Sequence, residues 1–183
     1  MIPVLDHGYI KLLSSSFPGD NLNQFFRNFS RSPSRSLART VYLTLEIKAP
    51  LFVQLYLAEA GLTVVSKRPA QTSIEAYTPT LAEIGSPDLA TNKTVADYFA
   101  QTTEALLLNQ KAFEMDQCDK FVTQSLTPIS SYNILVVSGS LIDWMPIVAA
   151  KGLPRPIEAY RQTIHEVMMG EWPNINETMR VLK

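Results

Sequence analysis

Cysteine is nearly absent from this chain: Cys118 stands alone among 183 residues. A single thiol cannot close an internal disulfide, so the cross-linked scaffold of small secreted domains is excluded and a reducing cytoplasm is the expected compartment. Histidine is almost as scarce. His7 and His165 are the two imidazoles, and neither sits at metal-ligand spacing with the cysteine, the other histidine or a carboxylate cluster, so no metal site is expected. The seven glycines form no phosphate loop of the Walker or dinucleotide type, and no serine sits in a nucleophile elbow, which removes those enzyme classes and leaves the catalytic residues unassigned. Long apolar runs are lacking too. Nowhere do about 18 uncharged apolar residues occur together, and the opening MIPVLDHGYIKLL lacks a basic region followed by a long apolar run, so a soluble protein with no membrane partner is expected.

Charge of one sign is also missing. A formal net charge of -1 argues against a surface built wholly for nucleic acid, and no nucleic-acid partner is expected, although a local basic pocket remains open. What the chain does have is apolar content: 46% of 183 residues suffices for one well-buried core, and a single domain over 1–183 is expected.

In GDNLNQFFRNF, Asp20 precedes Leu22, Phe25, Phe26 and Phe29 at helical spacing, which predicts a short amphipathic helix capped by Asp20. Arg27, Arg31, Arg35 and Arg39 then recur every four residues, but Pro33 argues against one continuous helix and favours a mobile basic loop. Guanidinium groups there suit phosphate, while most such loops are simply solvated. From Thr40, Val41, Leu43, Leu45 and Ile47 alternate with Tyr42, Thr44, Glu46 and Lys48, the pattern of a strand with one buried face. Pro50 suits the first turn of a helix that runs to about Ala60 and ends at Gly61. Residues 62 to 91 are rich in Thr, Ser and Pro and predict loops with short ordered pieces.

The clearest element follows. Val95, Tyr98, Phe99, Thr102, Ala105, Leu106, Asn109 and Phe113 line one side of a long helix, as core or as an oligomer seam. ISSYNILVVSGS reads as an extended segment or a buried transition, its apolar run alone leaving helix open, Ser140 with Asp143 as a capping box for LIDWMPIVAA, and Pro154 with Pro156 as the start of a final helix. Cys118 lies between Asp116 and Asp119, which disfavour a thiolate, and is expected to be a buried helical residue. His165 is expected to be a hydrogen-bonded core or interface histidine, and His7 a turn or strand-edge residue.

Three separated stretches, VLDHGYIKLL, LEIKAPLFVQ and LTPISSYNILVVSGSLIDWMPIVAAKGLPRPIEAYRQTI, resemble the flavin-dependent thymidylate synthase (ThyX) family. The first is similar to that family's opening strand, the second to its strand-to-helix junction, and the third to its C-terminal nucleotide-site region. The resemblance implies a mixed α/β (α+β) subunit with long helices on a curved, mostly antiparallel sheet, assembled as a homotetramer. It also implies FAD, methylene-tetrahydrofolate, NADPH and the pyrimidine deoxynucleotide dUMP, with reactivity supplied by flavin and the protein orienting ligands.

Residue by residue, Pro128 and Tyr132 match the family's Pro-x-Asn-x-Tyr-Thr pattern, with Ser130 and Asn133 replacing its Asn and Thr. Lys151 falls where a substrate-activating arginine is expected, and Arg161 matches an arginine of the nucleotide motif, so Ser130, Tyr132, Lys151 and Arg161 are the implied nucleotide contacts. Lysine keeps the charge of arginine without its planar fork. The family's Arg-His-Arg signature falls on Glu59, Ala60 and Gly61, and a further arginine falls on Ala76 beside a retained Tyr77. A carboxylate beside a diphosphate repels where a guanidinium attracts. Arg35, Arg39, Lys67, Arg68 and Tyr77 are the remaining candidates for phosphate or flavin contact. Three functions are therefore compared: a diverged nucleotide-binding or nucleotide-modifying protein, an active FAD-dependent thymidylate synthase, and a noncatalytic assembly subunit, alone or paired with an intact family member.

Overall fold

The alternation that begins at Val41 does what its period dictates: Val41, Leu43, Leu45 and Ile47 are fully buried, while their neighbours point the other way. In a computed structural model, which describes residues 1–31, 34–67, 75–84, 87–172 and 175–182, this segment is the middle of a five-stranded sheet. The strands are β1 (Ile2–Val4), β2 (Gly8–Ser16), β3 (Tyr42–Pro50), β4 (Thr63–Lys67) and β5 (Tyr132–Ser140). The helices are α1 (Leu22–Arg31), α2 (Arg35–Ala38), α3 (Leu51–Glu59), α4 (Leu81–Ile84), α5 (Leu89–Met115), α6 (Lys120–Ser125), α7 (Leu141–Ala149), α8 (Arg155–Glu171) and α9 (Ile175–Leu182). The protein is thus mixed α/β, with its strands in the order β1-β2-β3-β5-β4.

Pairing is antiparallel between β1 and β2, β2 and β3, and β4 and β5. At the β3/β5 seam the Thr44 and Ser138 hydroxyls meet at 2.9 Å, and the Leu141 N–H donates to the Val41 carbonyl at 2.8 Å. That spacing also runs antiparallel.

The chain divides into two compact units. One comprises Met1–Ala49, Val53–Arg68 and Asn133–Lys183, and the other Pro50–Phe52 and Pro69–Tyr132. In the first, α8 packs on β1 and β2 and also touches α7 and α9. Its inward face is Tyr160, Thr163, Ile164, Val167 and Met168, the stripe a 3.6-residue period demands. Phe26 and Phe29 of α1 are buried with Trp172, whose ring lies 6.0 Å from Phe26. Ser140 and Asp143 form the capping box expected of them, with the Ser140 N–H donating to Asp143 Oδ2 at 2.8 Å. Burial of the Trp144 ring is fixed by its Nε1–H, which donates to the Leu43 carbonyl at 3.3 Å.

The second unit is built around α5, which contacts α4 and α6. Asp88 caps it by accepting from the Ala90 and Thr91 N–H groups at 3.2 and 2.9 Å. Hydrogen bonds from Thr91 hold the Asp88 carboxyl below the usual carboxylate range. That contribution to stability is present above the ordinary Asp pKa and is lost as pH falls through the depressed one.

Several expectations need correction. The cap of α1 is Asn21, whose Oδ1 accepts the Gln24 N–H at 3.0 Å, and not Asp20. The four arginines do not sit in one loop: Arg27 and Arg31 belong to α1, Arg35 opens α2 and Arg39 caps its end. Pro33 lies outside the described residues. Thr63–Lys67 is one of the short ordered pieces expected between residues 62 and 91, and it is a strand because β5 offers it a ladder from Ile134 to Ser138. Cys118 is exposed and lies beyond the end of α5. The stripe read along α5 is not a core face: Tyr98 is 66% exposed and Val95 42%, while the buried residues of that helix are the polar Asn92, Thr103 and Gln110.

Gly8 follows a tight reversal in which Leu5 adopts φ 56°. A Cβ at Gly8 would collide with the Tyr160 hydroxyl and with the carbonyl oxygens of Val4 and Lys48. That hydroxyl is in place because it donates to the Lys48 carbonyl at 2.7 Å, joining α8 to β3. Backbone atoms cannot step aside as a side-chain tip can, so Gly8→Ala should cost stability on the overpacking scale of about 1–3 kcal/mol. Its thermal midpoint, compared with that of the double variant Gly8→Ala/Tyr160→Phe, will show how much of the strain comes from the hydroxyl.

Candidate functional site

Helix ends leave carbonyls without helical partners, and the C-terminal end of α7 meets this need with an arginine from the next helix. Arg161 of α8 donates from Nη1 to the Val148 carbonyl at 2.9 Å. The same guanidinium grips Glu158 one turn back, with Nε to Oε2 at 2.8 Å and Nη2 to Oε1 at 2.7 Å. This forked pairing lowers the Glu158 pKa, chiefly through the Arg161 hydrogen bond, and raises that of Arg161 for the same reason. Arg161 is therefore a structural clamp before it is anything else. As pH falls through the depressed Glu158 pKa this pair within α8 dissolves and its contribution to stability is lost, while Arg161 keeps the charge with which it donates to Val148.

Beside this clamp lies an open groove of about 550 Å³, lined by Met145, Val148, the Ala149–Gly152 turn, Glu158, Arg161, His165, Asn176 and Arg180. The turn reverses sharply because Gly152 adopts φ 69°. Lys151, in the same turn, is exposed, as is Arg180 on α9. The His165 Nε2 lies 2.8 Å from Asn176 Oδ1, tying α8 to α9 across the groove wall. Three cationic side chains thus share the groove with one carboxylate. Its volume lies within the range of about 300–1,000 Å³ usual for small-molecule sites. Tyr56 of α3 has its phenol pKa raised by burial, with Arg161 pulling in the opposite direction.

Of the sequence candidates, Lys151 and Arg161 come together here. Arg180 and Asn176 were not anticipated, because nothing in their spacing links α9 to a turn some 25 residues earlier. Arg35 and Arg39 are exposed at the two ends of α2 and do not line the groove. Tyr77, Ser130 and Tyr132 gather in the second unit. The Tyr77 N–H donates to the Ser130 carbonyl at 2.8 Å, the Tyr132 N–H donates to the Glu75 carbonyl at 2.7 Å, and the Tyr77 ring meets Phe52 edge-on at 5.7 Å. All three side chains are buried, Ser130 to 2% exposure. Lys67 lies in β4 with a side chain outside the described residues, and Arg68 lies outside them altogether.

The flavin implied by the resemblance does not fit the residues at the end of α3. Glu59 there is exposed, and Gly61, at φ 85°, makes the turn that follows. This segment presents a carboxylate and no cation to a diphosphate, so it provides no anchor for one. Among the described residues, no group of three or more His, Cys, Asp or Glu side chains could hold a metal ion, and no helix is long and apolar enough to cross a membrane. No protein-family model matches the chain, and no curated protein matches it.

Proposed function

We propose that this chain is a diverged ThyX-like protein that binds a pyrimidine deoxynucleotide, dUMP or a close relative, with the nucleotide phosphate held in the groove beside α7. The observation that supports this reading is the convergence of Lys151, Arg161 and Arg180 on one open groove. A phosphate dianion takes charge-assisted hydrogen bonds from such groups, and the Arg161 fork retains donors beyond those given to Glu158 and Val148. The choice of a pyrimidine nucleotide, rather than another phosphate ester, comes from the family resemblance around Lys151 and Arg161. The same resemblance implies a homotetramer, or pairing with an intact family member. A thymidylate synthase reaction is not part of the proposal, since the end of α3 does not fit the flavin.

Titration calorimetry of the purified chain with dUMP, dTMP, dCMP and inorganic phosphate tests this reading. Saturable binding of a nucleotide, at least tenfold tighter than that of phosphate, is the expected result. Failure of all three nucleotides to bind at millimolar concentration would remove it. FAD followed by its visible spectrum should show no saturable change, and a dUMP-dependent change would revive the thymidylate synthase reaction.

A further inference from the structure

Helix α5 spans 27 residues, about 40 Å at 1.5 Å per residue, and one whole side of it is exposed. Thr94, Tyr98, Gln101, Ala105, Leu108, Ala112 and Met115 follow one another at alternating steps of four and three, and every one of them is exposed. Tyr98, Leu108 and Met115 are 66%, 60% and 78% exposed. That alternation is the spacing of a helix-pair seam, a 3.5-residue repeat that here carries Tyr98, Ala105, Leu108, Ala112 and Met115 with the polar Thr94 and Gln101 among them. The row immediately flanking it carries Asp97, Glu104 and Lys111, seven residues apart, all exposed. The opposite flank carries Thr102 and Asn109, also exposed.

We infer that this face binds the α5 of a second copy, antiparallel and related by a two-fold axis, in the register that sets Glu104 of each copy against Lys111 of the other. A two-fold axis normal to the plane of two antiparallel helices brings like flank to like flank, so the charges of one row must complement themselves. In the register proposed here they do, twice. The same register sets Tyr98 on Met115, Gln101 on Ala112 and the small Ala105 under Leu108, and brings Thr102 within reach of Asn109 on the other flank. Sliding one copy by a heptad would confront Glu104 with Glu104 instead. A parallel pair would stack Ala105 on Ala105 and leave Glu104 without a cation. Charge and side-chain size therefore select the same alignment, and the occupant they select is this chain itself.

The inference rests on the chain being self-associating and is independent of what the groove binds. Sedimentation equilibrium of the full chain tests it. The wild type should have at least twice the 20.5 kDa mass of one chain. Ala105→Glu, at an exposed helical position where the fold tolerates it, should halve the wild-type mass with an unchanged circular dichroism spectrum. Glu104→Lys and Lys111→Glu should each weaken association several-fold, and the double variant should restore it. Residues seven apart on one helix are too distant to pair within it, so rescue reports a contact between copies. A monomeric wild type would overturn both the self-association and the face. An oligomer untouched by Ala105→Glu, or charge variants without rescue, would overturn this face and register alone.

Discussion

Replacing Trp144 with alanine should destabilise the protein by about 3–5 kcal/mol, the usual cost of removing a large buried aromatic. Trp144 is fully buried where α7 leaves the sheet. Three local features hold that corner together: the Ser140–Asp143 capping box, the Leu141 N–H on the Val41 carbonyl, and the indole N–H on the Leu43 carbonyl. Alanine removes the ring and also leaves the Leu43 carbonyl without that donor. The sheet against which the ring lies cannot close over the void, since its strands are fixed by their own ladders. Trp144→Phe fills most of the space and should recover at least half of the loss while surrendering the hydrogen bond. Urea denaturation of the two variants measures both. A loss below about 1 kcal/mol for alanine would mean that the corner is plastic and that α7 is held from elsewhere.

The second large effect concerns ligand binding. Lys151→Ala with Arg180→Ala should weaken nucleotide binding by about two to four orders of magnitude, if each cation supplies the roughly 1.5–3 kcal/mol of a charge-assisted hydrogen bond. Both side chains are exposed, so their loss should alter global stability by no more than about 0.5 kcal/mol. Binding and folding are therefore separable at these two positions, as they are not at Arg161, which also holds the end of α7. Single variants measured at low and high salt will apportion the effect, because exposed charges act through a screened field. Unchanged affinity in the double variant would remove the phosphate from this groove.

How much of this was legible depended on the range of the interactions. β3 could be read because its buried and exposed residues alternate without a break, and the start of α7 because Ser140 and Asp143 stand at capping-box spacing. Both signals are local. β4 was legible only as a short ordered piece, because five residues after Gly61 form a strand only when β5 supplies the ladder. The exposed stripe of α5 was visible as a stripe, but sequence alone does not say which face of a long helix turns inward, and here the inward residues are polar. The groove was half legible: Lys151 and Arg161 lie near each other in the chain, whereas Arg180 arrives by the packing of α9 on α8. Ser130 and Tyr132 came from the family resemblance, and their burial makes them packing residues of the second unit.

The short first strand has a bearing on how the protein behaves in concentrated solution. β1 covers β2 only from Gly8 to Ile10. Beyond its reach β2 continues through Lys11, Leu12, the exposed Leu13 and Ser14–Ser16, with a slip in register between Leu12 and Ser14. A straight, greasy margin there would recruit neighbouring chains into growing ribbons, whereas a crooked one carrying lysine and serines repels them. This margin of the sheet is in that sense self-terminating, so crowding should not draw copies together through it by endless strand exchange.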